Sequence, residues 1–165
     1  MKELILVRHA KSSWRDPTLS DHERPLNKRG KRDAPEMGER LAKSGCDPDL
    51  MVSSSAVRAL DTARNIAGKL GYPRESIAVE ERLFHAGVAE LLHVIRGVDD
   101  SVDILMLFGH NPGLTDFANH IGPREIFNMP TCAVLHLRFH ADTWSMVGDV
   151  TGDEVRYDYP KRVAQ

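Results

Sequence analysis

The sequence predicts an α/β protein of three layers, α/β/α, with a mostly parallel mixed sheet, helices on both faces and a C-terminal antiparallel hairpin. Three observations carry this expectation. Strand-like and helix-like apolar patterns alternate through the first two thirds of the chain. Two short apolar runs, Leu4-Ile5-Leu6-Val7 and Asp103 to Phe108, have the character of strands buried on both faces. The C-terminal third then changes to a period of two, as a strand with one wet face does.

The elements follow in order. The first strand ends abruptly at Arg8-His9-Ala10, and α/β sheets place their ligands at such a carboxyl edge. Residues 11–26 are polar, contain Pro17 and Pro25, and read as a loop at that edge. Asn27 can cap a helix running to about Ser44, with Ala34, Met37 and Leu41 at helical spacing and Gly45 as its stop. Pro35 lies inside that pattern and predicts a kink or a restart. Leu50-Met51-Val52 is a second strand. Val57, Leu60, Ala63, Ile66, Ala67 and Leu70 then make a helical stripe that stops at Gly71.

Ile77-Ala78-Val79 is a third strand, and residues 88–96 form a helix with Leu91, Leu92 and Ile95 inward and Gly97 at its end. Asp103 to Phe108 is the fourth strand, and Pro112 suits the first turn of the helix after it. Ala133, Leu135, Leu137 and Phe139 alternate with Val134, His136, Arg138 and His140, and Trp144 to Val150 is expected to return antiparallel. The last few charged residues read as a mobile end.

Composition narrows the function classes. A chain of 165 residues fits one domain, 1–165, with a substantial core. Hydrophobic content of 41% and charged content of 28% are those of a globular protein. A net charge of −2 argues against a general nucleic-acid-binding surface but leaves room for a local cationic pocket. Cys46 and Cys132 show no metal or redox spacing and read as reduced packing residues. No apolar run approaches a membrane span, and the chain enters a strand at once with no room for a signal peptide, so the cytoplasm is the expected compartment.

Cations and imidazoles recur just beyond strand ends: Arg8 and His9 after the first, Arg58 after the second, His110 after the fourth. Parallel strands bring their carboxyl ends to one edge, so these residues can converge. Two guanidinium forks suit phosphate oxygens, and two imidazoles add a nucleophile and a donor. Taken singly, each residue is more often a solvated rim side chain or a satisfied histidine. Four at equivalent strand ends are a better signal.

The segments around them strengthen it. Leu6-Val7-Arg8-His9-Ala10 resembles the Arg-His-Gly signature of the histidine phosphatase (phosphoglycerate mutase-like) superfamily. Ser53 to Ala63, with Arg58 on the incipient helix, resembles its second motif, and Gly109-His110-Asn111-Pro112-Gly113-Leu114 its third. Asp21-His22-Glu23-Arg24-Pro25-Leu26-Asn27 with Gly30 is similar to a segment of the short SixA-type phosphohistidine phosphatases. The ordered set spans residues 4 to about 139. The resemblance implies a phosphoglycerate mutase-like fold and catalysis without metal or other cofactor. It makes His9 the nucleophile that becomes phosphorylated, with Arg8, Arg58 and His110 around the phosphoryl group. Arg24 is implied as a further substrate-binding arginine, and water releases phosphate as product. The chain departs from the pattern at Ala10, where glycine is usual, at Ala56, where proline is common, and at Asp61, where glutamine is common.

The leaving group decides the substrate. A phosphomonoester expels an alkoxide and needs a general acid, whereas a phosphoramidate expels an imidazole that can be protonated beforehand. Mutase-like relatives carry a glutamate after the third strand for that task. Glu81 superficially matches the place, but Glu80 and Glu81 read as solvated strand-end residues and His85 as a rim residue. Lys11, Ser12, Ser13 and Trp14 sit in a loop that is polar in any case, and His136 and His140 lack a third ligand for a metal. The favoured expectation is a phosphatase acting on phosphohistidine of a protein, such as a histidine phosphotransfer-type partner, through a phospho-His9 intermediate. The alternatives are a small-molecule phosphomonoesterase using Glu81 as acid, and a non-catalytic phosphoprotein-binding module. Neither nucleic acid nor membrane is an expected partner.

Overall fold

The structure is a computed structural model that describes residues 1–162; Val163–Gln165, on which the expected mobile end falls, lie outside the described residues. Six strands form one sheet: β1 (Lys2–Arg8), β2 (Leu50–Ser53), β3 (Ala78–Val79), β4 (Ile104–Gly109), β5 (Val134–Phe139) and β6 (Asp153–Asp158). Their order is β3-β2-β4-β1-β5-β6. The first four run parallel, β5 is antiparallel to β1, and β6 is antiparallel to β5. The predicted mixed α/β sheet is therefore present.

Strand alternation builds the layers. Leu4 and Leu6 of β1 and Leu105 and Leu107 of β4 share one core with Leu91 and Ile95 of α3 (Val88–Arg96) and Leu114, Phe117 and Ile121 of α4 (Gly113–Ile121). The intervening Ile5, Val7, Met106 and Phe108 face a second core. It is closed by Ala34, Met37 and Leu41 of α1 (Lys28–Lys43) and Ala63, Ile66 and Ala67 of α2 (Val57–Leu70). Both faces of β1 and β4 are thus covered, which is why their sequences read as continuous apolar runs. Burying each such large side chain contributes about 1.5–3 kcal/mol.

Local chemistry sets the helix ends. The Asn27 side chain accepts the Gly30 N–H at 2.9 Å, as its capping role predicts. Gly71 ends α2 at φ 73°, where glycine avoids the left-handed penalty. α1 runs through Pro35 without a restart, because Ala34, Met37 and Leu41 remain fully packed and outweigh the lost backbone bond. Pro112 lies one residue earlier than expected, at the N-cap of α4.

Two expectations for the C-terminal third are corrected. Trp144 to Val150 is not the returning strand: Trp144–Met146 is a 3-10 turn, and β6 comes later. Trp144 is fully buried, with its indole N–H donating to Val102 O at 2.7 Å and its backbone N–H to Asp100 at 3.0 Å, so it anchors the connection instead. β6 lies at the sheet edge, is largely exposed and has no apolar alternation to reveal it. Val134 is buried in the second core rather than solvated, because α1 and α2 cover that face near β1.

Candidate active site

The sheet register brings the strand ends together. Arg8 of β1 is paired with Gly109 of β4, so the next residues, His9 and His110, leave the sheet side by side. His9 N–H donates to Gly109 O at 3.1 Å, and Cys132 N–H donates to His9 O at 3.0 Å, which fixes the backbone at this point. The two imidazole centroids are 5.2 Å apart.

Hydrogen bonds assign the tautomers. His9 Nδ1 lies 2.7 Å from Ala10 O. A carbonyl only accepts, so Nδ1 carries the hydrogen and Nε2 keeps its lone pair. His110 Nε2 lies 2.7 Å from the hydroxyl of Ser54, which itself accepts the Ala56 N–H at 3.2 Å. That hydroxyl is fully buried, and the imidazole is the acceptor within reach of its hydrogen. His110 therefore carries its proton on Nδ1, which is buried without a partner. Ser54 is itself placed by the sheet, its N–H donating to Phe108 O at 3.0 Å.

Three guanidinium groups surround the pair. Arg8 Nη1 donates to Met129 O at 2.9 Å, while its Nε is buried and unpartnered. Arg58 stands in the first turn of α2 and donates to the Asp21 carbonyl and, at 3.2 Å, to the Asp21 carboxylate. Arg24, which follows a 3-10 turn at Asp21–Glu23, donates to Ser12 Oγ at 2.8 Å and to Asp21 Oδ1 at 3.0 Å. Its guanidinium also lies 3.4 Å from the centroid of the Trp14 ring. Together these groups line a cleft of about 300 Å³ with Lys11, Ser12, Trp14, Asp21, His85, Asn111 and Thr131. A groove of about 650 Å³ lies between Ser13 and Lys31, but no pair of imidazoles converges there.

The electrostatics favour neutral rings. Burial pushes His9 down to about 4, opposed by its bond to Ala10 O and reinforced by the positive charges of Arg58, Arg8 and Arg24. Burial likewise pushes His110 down to about 3, with His9, Arg58 and His85 adding repulsion and Asp21 opposing it. Burial lowers Arg8 and Arg58 as well, though Asp21 works against it at Arg58. The result is a cationic cleft with an unprotonated imidazole nitrogen at its centre, the charge pattern that a tetrahedral dianion and an attacking lone pair require.

The structure brings Arg8, His9, Arg24, Arg58 and His110 into this cleft. Lys11, Ser12 and Trp14 also line it, while Ser13 lines the neighbouring groove. Glu81 does not: it is exposed on a 3-10 turn (Glu81–Leu83), and Glu80 beside it is paired with Arg82 at 3.0 Å. Asp21 and Thr131 were not anticipated individually. The Asp-x-x-Arg spacing of Asp21 and Arg24 was the available sign of the first, and nothing local marks the second. His136 and His140 pair with Glu3 and Asp153 respectively. No cluster of three or more His, Cys, Asp or Glu able to hold a metal occurs among the described residues.

The sequence profile of the histidine phosphatase superfamily (branch 1) matches residues 4–91. A chloroplastic protein of Arabidopsis thaliana, of uncharacterised function, is 30% identical over 159 residues, covering 92% of this chain and 72% of that protein. The chain belongs to the histidine phosphatase superfamily. Among solved structures, this histidine phosphatase superfamily member superposes on the SixA protein of Agrobacterium tumefaciens with a TM-score of 0.80 at 22% identity, covering 96% and 98% of the two chains. It superposes on a protein histidine phosphatase SixA complexed with tungstate with a TM-score of 0.77 at 21% identity, covering 96% and 97%. These likenesses show that the superfamily member shares the phosphoglycerate mutase-like SixA fold. No helix among the described residues is long and apolar enough to cross a membrane.

Proposed function

We propose that the protein hydrolyses phosphohistidine on a protein partner through a covalent phospho-His9 intermediate. The observation that carries this is the state of His9. Its Nδ1 is committed to Ala10 O, its Nε2 lone pair is free, and the cleft around it is lined by three guanidinium groups. A pure binding module needs the cations but not that lone pair.

In the first step His9 Nε2 forms a bond to phosphorus while the bond between phosphorus and the substrate imidazole breaks. The departing imidazole keeps the electron pair and leaves already protonated on its other nitrogen. Arg8, Arg24 and Arg58 neutralise the equatorial oxygens, and the Nδ1–H of His110 donates to one of them. The N-terminus of α2 at Arg58 adds its dipole to the same charge. Water then attacks phosphorus, the P–N bond breaks and the pair returns to His9.

A phosphorylated side chain standing out from a protein suits the form of the cleft. The connection from β3 to α3 is short, residues 80–87, and supplies no capping segment over the phosphate. Trp14, 73% exposed on one rim, offers an aromatic face outside it. A SixA protein of the same fold is solved in complex with tungstate, a tetrahedral oxyanion, which supports an anionic ligand for this fold. Free Cys46 and Cys132 suit a reducing compartment such as the cytoplasm.

The test sets a phosphohistidine peptide, an aryl phosphate and a sugar phosphate side by side, with His9→Ala as control. Preferential release from the peptide, and an acid-labile phosphoenzyme absent from H9A, are expected. Unchanged turnover by H9A removes the proposal.

A further inference from the structure

One group in the cleft has no part in phosphohistidine cleavage. His85 lines it too, carried by the loop between the Glu81–Leu83 turn and α3. Its backbone sits at φ 60°, a left-handed conformation that histidine and asparagine adopt several-fold more readily than most residues. The ring packs on Phe84 with centroids 3.9 Å apart, and Phe84 in turn meets the edge of His110 at 5.5 Å. His85 Nε2 lies 4.0 Å from the carboxylate of Asp21.

These contacts set His85 apart from the other two rings. His9 and His110 are buried among guanidiniums and held neutral, so neither has a proton to give without becoming an imidazolate. The His85 side chain is 71% exposed and faces the one carboxylate among the described residues that line the cleft. Asp21 is itself fixed in ionised form: desolvation raises its affinity for a proton, but hydrogen bonds and charge from Arg24 and Arg58 outweigh it. At that distance the carboxylate can pair with the ring nitrogen and orient the imidazole. The arginines do not deprotonate, and an ammonium in general releases a proton far less readily near neutral pH than an imidazole does.

We infer that His85 is the proton donor to the leaving oxygen of phosphomonoesters, and that the enzyme cleaves such esters at the same site as phosphohistidine. The inference rests on the phospho-His9 reading. It gives to an imidazole–carboxylate pair the task that Glu81, exposed and outside the lining of the cleft, would otherwise have. The balance is complete. As His9 Nε2 bonds to phosphorus, the P–O bond breaks, and the oxygen keeps the electron pair and takes a proton from the ring nitrogen of His85 turned away from Asp21. In the second step the attacking water forms a P–O bond and returns a proton to His85 as the P–N bond breaks. Alcohol and phosphate are the products, and both histidines are restored.

The test uses the full chain and His85→Asn, which tolerates the same backbone conformation and cannot act as an acid. kcat/KM is measured for a phosphohistidine peptide, p-nitrophenyl phosphate and an alkyl phosphate such as a phosphoserine peptide. H85N should lose about 100-fold or more on the alkyl ester, markedly less on p-nitrophenyl phosphate, and less than about threefold on the phosphohistidine peptide. Retained peptide activity shows at once that the variant is folded and the phosphate site intact. Equal losses on all three, no loss on the ester, or a wild-type enzyme inert to alkyl phosphate overturns the inference. A wild-type phosphoenzyme abolished in H9A shows that phospho-His9 chemistry stands even then.

Discussion

The hydroxyl of Thr62 accepts the backbone N–H of Ala10 at 3.0 Å and donates to Arg58 O at 2.8 Å. One buried side chain thus fastens the end of β1, which carries His9, to the first turn of α2, which carries Arg58. Thr62→Val keeps the shape and deletes both bonds, leaving the Ala10 N–H buried without a partner. We expect a loss of about 1–3 kcal/mol, or about 2–12 °C in Tm, together with reduced kcat. Thermal denaturation followed beside steady-state kinetics checks it; unchanged values for both contradict the coupling.

Ser54 holds the tautomer of His110. Ser54→Ala removes the donor to Nε2, so the ring no longer keeps its hydrogen on Nδ1. One hydrogen bond of about 1 kcal/mol predicts a fall in kcat of about fivefold, with the fold retained. Nitrogen NMR of the imidazoles should show the Nδ1–H form dominant at His110 in the wild type and depleted in S54A.

Arg58→Lys preserves charge but not the planar fork. We expect kcat/KM to fall about 100-fold and tungstate or phosphate inhibition to weaken in parallel. If inhibition constants are unchanged, Arg58 does not hold the anion.

Gly113 opens α4 against the loop that carries His85. A Cβ there would run into the carbonyl oxygen of Ala86. Gly113→Ala should destabilise the protein by about 1–3 kcal/mol in urea titration, because backbone on one side or the other must shift. The same shift displaces His85, so alkyl-ester activity should fall more than activity on a phosphohistidine peptide.

Acid should destabilise the fold through the two buried rings. His9 and His110 are pushed down to about 4 and about 3, whereas an unfolded histidine protonates near 6.5. Below that value the unfolded chain binds protons that the folded chain refuses, so stability falls as pH falls and is fully present above it. From pH 6.5 to 5 the loss is about 2 kcal/mol per ring at most. Urea titrations at pH 7 and pH 5 measure it, and His9→Asn should flatten the dependence by up to that amount. A dependence equally steep in H9N shows that other groups cause it.

Much of the site was legible because its residues cap regular elements. Leu4–Val7 and the strand ending at Phe108 are covered on both faces, so their apolar runs announce them, and whatever follows each must lie at the sheet edge. Arg8, His9 and His110 are found that way. Arg58 follows from the serine-rich end of β2 and the helical stripe after it. Arg24 was visible through its motif alone, since no periodicity marks a loop residue. Asp21, His85 and Thr131 reach the cleft from three separate loops, and β6 is an exposed edge strand with no apolar pattern.

Periodicity and chain order by themselves determined the layers, the nature of the sheet and the residues that stand at its strand ends, because burial on one face or two is written directly into apolar spacing. Tertiary structure decided the rest. The Arg8–Gly109 register set the two imidazoles side by side, Ala10 and Ser54 chose which ring nitrogen each leaves free, and loop packing brought Asp21 to Arg24, Arg58 and His85. Such hydrogen bonds and ion pairs join residues far apart in the chain, and their geometry depends on how elements pack rather than on any local pattern.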